Sequence, residues 1–127
     1  MITLTRIFTF EAAHHLPYYN GKCRKVHGHT YKLEVTIAGK VRSLSKYNPY
    51  SGMVVDFNDL KFHVEDKIIK KYDHSYLNDF LPVPTAECLI EKIAAELQEI
   101  LPPDINLYEI RLWEGEKSSV RWKPDKE

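Results

Sequence analysis

An α+β fold, a four-stranded antiparallel sheet with two helices packed on one face in the order ββααββ, is predicted by three features of this sequence. Period-two alternation opens and closes the chain, apolar residues recur at three-and-four spacing in two central stretches, and the prolines fall between these blocks. With 127 residues, the chain makes a single domain, residues 1–127, large enough for an ordinary core and too small for two. Lys plus Arg equals Asp plus Glu at 18 each, which removes the basic field of a non-specific nucleic-acid binder. No long apolar run marks a membrane span. Cys23 and Cys88 are too few for a disulfide scaffold, and without a secretory leader they fit a reducing cytoplasm.

The first strand covers residues 2 to 15. Ile2, Leu4, Phe8, Phe10, Ala12 and His14 share one face; Thr3, Thr5, Thr9, Glu11 and His15 take the other. Arg6 is a misfit on the apolar face and Ile7 on the polar one. A second strand, from about His27 to Ala38, sets Tyr31, Leu33, Val35 and Ile37 against the core, with His27 and His29 in the same register. Gly28 between the two histidines lets a ligand or backbone come close. The stretch 39–52 reads as a turn-rich connection without chemistry.

Asp56 caps a helix whose stripe is Phe57, Leu60, Val64, Ile68 and Tyr72, with His63 beside the stripe and exposed. Asp73 and His74 follow where this helix ends, and Leu77 and Asn78 lie in a loop. Thr85 caps a second helix with the stripe Ala86, Leu89, Ile90, Ile93, Ala94, Leu97 and Leu101, stopped by Pro102 and Pro103; Cys88 within it is read as structural. From Ile105 to Glu114 alternation returns, with Tyr108, Ile110, Leu112 and Glu114 inward and Glu109, Arg111 and Trp113 outward. Gly115 turns the chain into a last strand with Val120 and Trp122. So short a sheet has open edges, which invite pairing between subunits, and a homo-oligomer is expected.

If the first two strands pair as an antiparallel hairpin, His14 and His27 lie near each other on one face and His29 joins them. Three imidazoles suit zinc, and three protein ligands leave a position open for water or substrate. His15 points away and is not counted. Cys23, four residues before His27 and flanked by Lys22, Arg24 and Lys25, is a candidate general base. A zinc ligand or an inert thiol fits its spacing equally. Asp73 and His74 form a carboxylate-oriented imidazole able to pass a proton. Glu114 is expected to face inward, where a carboxylate needs a partner: a ligand with two adjacent N–H groups, or an arginine, although Arg111 lies on the wrong face.

Taken in order, Phe8-Thr9-Phe10-Glu11-Ala12-Ala13-His14, Cys23 with His27-Gly28-His29-Thr30-Tyr31, Asp56-Phe57 with Leu60-Lys61, Asp73-His74 with Leu77-Asn78, Pro84-Thr85-Ala86-Glu87, and Glu114 resemble the 6-pyruvoyltetrahydropterin synthase family, which includes 6-carboxytetrahydropterin synthase of the queuosine pathway. The resemblance implies the tunnelling fold, or T-fold, in which trimers close their sheets into a barrel and two trimers stack into a homohexamer. It implies zinc on His14, His27 and His29, Cys23 as proton acceptor, and Asp73 with His74 as a relay from a neighbouring subunit. Glu114 would anchor the pterin ring and Thr85 would help hold it.

The activity so implied is that of a zinc-dependent lyase. It converts 7,8-dihydroneopterin triphosphate to 6-carboxy-5,6,7,8-tetrahydropterin with release of acetaldehyde and triphosphate. Three residues between Cys23 and His27 resemble this carboxy branch. The alternatives are the pyruvoyl product, an aldolase-like cleavage, and a pterin-binding or structural zinc module without turnover. The only partner implied is a small-molecule pterin, with neither nucleic acid nor membrane.

Overall fold

The computed structural model describes residues 1–125. Five strands form one sheet in the order β3-β1-β2-β4-β5. They are β1 (Ile2–His14), β2 (His27–Gly39), β3 (Ser75–Tyr76), β4 (Asn106–Glu114) and β5 (Ser118–Trp122). The four long strands are antiparallel neighbours, as their alternation predicts. The fifth strand was not foreseen: β3 has two residues and runs parallel to β1, opposite Ala12 and Ala13. Two residues are too few to carry a period-two pattern, so nothing in their sequence marks them as a strand.

Register follows burial. Phe8, Phe10, Ala12 and His14 of β1, and Tyr31, Leu33, Val35 and Ile37 of β2, all face the core, and they pair as Phe8↔Leu33, Phe10↔Tyr31, Ala12↔His29 and His14↔His27. A slip of one residue would turn the slipped strand's set to solvent. Arg6, the misfit, reaches the Phe57 carbonyl at the start of the first helix, and Ile7 stays exposed. In β4 the expected alternation breaks once. The partners shift from Thr36↔Glu109 to Ile37↔Leu107, so Tyr108 is an extra residue and Leu107, not Tyr108, faces inward.

Asp56 caps α1 (Phe57–Val64) by accepting from the Asn58 N–H. The helix continues through a π-helical turn, Glu65–Ile69, into a last α turn, α2 (Lys70–Tyr72). That wider turn keeps Ile68 and Tyr72 on the buried face with Leu60 and Val64; Phe57, at the helix start, is half exposed. Thr85 caps α3 (Ala86–Ile100), accepting from the Cys88 N–H, and Leu89, Ile90, Ile93, Ala94 and Leu97 are buried. Cys88 itself is exposed, in the first turn and off the stripe, so it is no core residue. His63 is exposed as expected. The connection 40–55 contributes one core side chain, Val54.

No helix among the described residues is long and apolar enough to cross a membrane. Leu33 lies at the centre of the core with no exposed surface. Leu33→Ala is expected to lower the free energy of unfolding by about 2–5 kcal/mol in urea denaturation, with the denaturant slope unchanged.

Candidate active site

The register of β1 on β2 brings three imidazoles together at one end of the sheet. His14 stands opposite His27, and His29, opposite Ala12, is their diagonal neighbour. One ligand atom from each of the three lies within 4.8 Å of the others. Backbone carbonyls fix the two outer rings. His14 Nδ1–H donates to the Pro84 oxygen at 2.8 Å and His27 Nδ1–H donates to the Lys25 oxygen at 2.7 Å. A carbonyl only accepts, so each Nδ1 carries a proton, and in the neutral form of each ring the lone pair is on the inward Nε2.

Those two Nε2 atoms stand 3.2 Å apart. Two facing lone pairs at that distance repel unless a proton or a cation lies between them. His29 Nε2 is buried without a hydrogen-bond partner. Burial, the largest influence, lowers its pKa below the ordinary 6.5; the Glu114 carboxylate opposes this, and His14 and His27 reinforce it. Three imidazoles that each bring a nitrogen to one point suit a metal ion that takes imidazole nitrogen.

Glu114 stands opposite Tyr31 at the end of β4, and its Oε1 is 3.4 Å from His29 Nε2. It is partly exposed rather than buried, and among the described residues no arginine pairs with it. A cavity of about 410 Å³ opens beside it, lined by His14, Cys23, Thr85, Glu114, Tyr19 and Ser119 among others. Cys23 reaches this cavity from a 3-10 turn, Lys22–Arg24, and Thr85 from the cap of α3. Tyr19 and Ser119 were not singled out from sequence. For Ser119 a signal existed: the short hairpin after Glu114 sets β5 directly beside it, with Ser118 opposite Glu114.

Asp73 and His74 are elsewhere. His74 lines a second cavity of about 400 Å³ with Glu11, Ala13, Thr30 and, from the histidine cluster, His29, while Cys23 and Glu114 are not in its wall. Asp73 Oδ1 accepts from the Glu11 N–H at 2.9 Å, and its Oδ2 lies 3.1 Å from His74 Nδ1. The Glu11 bond is the main reason its carboxyl is held below the ordinary aspartate value, with His74 adding to the effect. His74 has φ +59°, a left-handed conformation that costs a residue with a Cβ about 1–2 kcal/mol. Within one chain, therefore, Cys23 and His74 open into different cavities.

The sequence matches the family described as 6-pyruvoyl tetrahydropterin synthase over residues 3–125. The chain belongs to this family. The 6-carboxy-5,6,7,8-tetrahydropterin synthase of Synechocystis is 40% identical over 105 residues, 81% of this chain and 80% of that protein. The dihydroneopterin monophosphate aldolase of Pyrococcus furiosus is 34% identical over 112 residues, 88% of this chain and 89% of that one. The structure of the Caenorhabditis elegans 6-pyruvoyl tetrahydropterin synthase superposes with a TM-score of 0.82, covering 98% of this chain and 96% of that one at 27% identity. The chain thus has the T-fold of the pterin synthases and is a pterin synthase-type enzyme of lyase character.

Asp73 yields a pH prediction. A depressed folded pKa contributes stability that is present above the unfolded value and lost as pH falls through the folded one. In a carbon-detected NMR titration the Asp73 carboxyl is expected to show a midpoint below 3.8. Asp73→Asn should remove the matching part of the acid limb of stability.

Proposed function

We propose that this enzyme converts 7,8-dihydroneopterin triphosphate to 6-carboxy-5,6,7,8-tetrahydropterin, releasing acetaldehyde and triphosphate, with zinc as its metal. The observation that carries the reading is the convergence of three imidazole nitrogens, with His14 in the wall of a cavity that also holds Cys23 and Glu114. The His14–His27 separation of 3.2 Å is close to the about 3.3 Å between ligands of a tetrahedral zinc site with Zn–N bonds of about 2.0–2.1 Å. When bound there, zinc supplies Lewis acidity toward the substrate's side-chain hydroxyls and acidifies the neighbouring protons.

The chain's own residues supply the rest. His14, His27 and His29 hold the metal. Glu114 accepts from the ring N–H and exocyclic amine of the pterin, a donor pair that a free carboxylate matches in bidentate fashion. Thr85 lies across the same cavity and helps seat the ring. Cys23 removes a proton from the substrate side chain on the face it lines. Asp73 holds His74 through Nδ1, leaving Nε2 for proton transfer.

Because His74 opens onto the other cavity of its own chain, we assign its action to the site of a neighbouring subunit. The sheet supports such an assembly. It is open, with β5 at one edge and most of β1 uncovered at the other, since β3 pairs only with Ala12 and Ala13. A barrel of three subunits, doubled into a hexamer, uses both edges. The reading places the enzyme in the cytoplasm, where a reducing pool keeps Cys23 a thiol.

A second reading, the pyruvoyl product, is favoured by the likeness to the C. elegans synthase. Zinc-loaded protein incubated with 7,8-dihydroneopterin triphosphate is expected to yield 6-carboxytetrahydropterin and acetaldehyde by mass spectrometry. A pyruvoyl pterin without aldehyde would transfer it to the second reading, and no turnover with zinc in place would make it a binding module. Cys23→Ala is expected to keep zinc and pterin binding while kcat falls by about 10²-fold or more. His27→Ala should lose zinc.

A further inference from the structure

Leu77-Asn78 is a motif for which the proposed chemistry has no use, yet Asn78 holds the residue next to a metal ligand. The parallel pairing of β3 with β1 ends at Ala13↔Tyr76, where the chain turns away into a 3-10 turn, Leu77–Asp79. From that turn the Asn78 carboxamide reaches back to His15. The His15 N–H donates to Asn78 Oδ1 at 3.0 Å, and Asn78 Nδ2 donates to the His15 carbonyl at 3.0 Å. A primary carboxamide carries the same donor and acceptor as a peptide unit, so Asn78 serves as one more rung of the ladder where the backbone has left it.

A second contact reinforces the first. Tyr76 stacks on the His15 ring at 5.9 Å and 14°, with its hydroxyl bonded to His15 Nδ1. His15 ends the strand side of a loop, residues 16–26, that is mostly exposed. On the β2 side this strand end is held by the His14↔His27 pairing and by the Leu16 N–H, which donates to the Cys23 carbonyl at 2.8 Å. On the β3 side Asn78 supplies the last pairing, without which that side frays. His14, one residue before the clamp, has its ring direction set by the Pro84 carbonyl only if its own backbone is fixed.

We propose that Asn78 is a positioning residue for the metal centre: its carboxamide immobilises the His15 peptide and thereby aims His14 Nε2 at the shared coordination point. This rests on the reading of the three histidines as a zinc site. Partners that orient a metal-bound imidazole are worth about 10–100-fold in metal affinity, and Asn78 acts one step further back, through the backbone. A mere stability role for Asn78 would leave the coordination geometry of the folded protein unaltered.

The test uses Asn78→Ala and the isosteric Asn78→Asp, which places an acceptor against the His15 carbonyl. Zinc affinity is measured by competition with a chromophoric chelator, and the Co2+-substituted proteins are compared by their visible absorption. Folding of each apo protein is followed by circular dichroism. Zinc affinity is expected to fall about tenfold or more in both variants, with the cobalt bands shifted or weakened although the protein is folded. Affinity within twofold of the parent and identical cobalt bands, in whichever variant folds, would overturn the proposal. So would weaker affinity with unchanged bands, which marks a stability effect. A parent protein that binds neither zinc nor cobalt would instead overturn the zinc reading beneath it.

Discussion

Hydrophobic register between β1 and β2 governs this molecule. Phe8, Phe10, Tyr31, Leu33, Val35 and Ile37 are nearly free of contact with water because the paired strands present them together to the helices that cover the sheet. Burial of a large apolar side chain is worth about 1.5–3 kcal/mol, and a slip of one residue would forfeit the whole share of the strand that slips. His14 and His27 stand at the far end of that same ladder and gain their juxtaposition from it. The candidate metal centre is thus aligned by core packing several residues away, before any ion is considered.

What the ladder cannot settle is the rotation of each ring, and here loops take over. The Pro84 carbonyl comes from the segment leading into α3, and the Lys25 carbonyl from the turn that leads into β2. Each accepts the Nδ1 proton and so turns a lone pair toward the centre. The same two segments carry Thr85 and Cys23 to the rim of the cavity. Orientation of the ligands and delivery of the other site residues are therefore one structural event.

Segment 73–78 shows how a weak strand is held in place. Two residues of parallel pairing are little on their own, but both ends are fastened by polar groups. Asp73 and the His74 N–H engage the N–H and carbonyl of Glu11, and Asn78 does the same for His15. These bonds offset the left-handed backbone of His74 and leave its ring exposed to a cavity. β1 consequently contributes His14 to the imidazole cluster on its inner face and holds the Asp73-His74 pair through the backbone of Glu11.

The order of the four long strands and two helices, both helix caps, most of the buried stripes and the shared face of His14, His27 and His29 were legible in the sequence, because periodicity and capping are local properties that each segment expresses by itself. The bulge at Tyr108, the strand at Ser75–Tyr76, the exposure of Cys88 and the clamp at Asn78 were not, since each depends on which distant segment lies alongside. The same holds for the separation of His74 from Cys23 and for the backbone carbonyls that set the imidazole tautomers. Sequence by itself determined which side chains share a face, through the two-residue repeat of a strand and the 3.6-residue repeat of a helix. Only the tertiary structure decided which faces meet and which carbonyl each ring finds, because those contacts join residues as far apart as His14 and Pro84 and leave no local pattern.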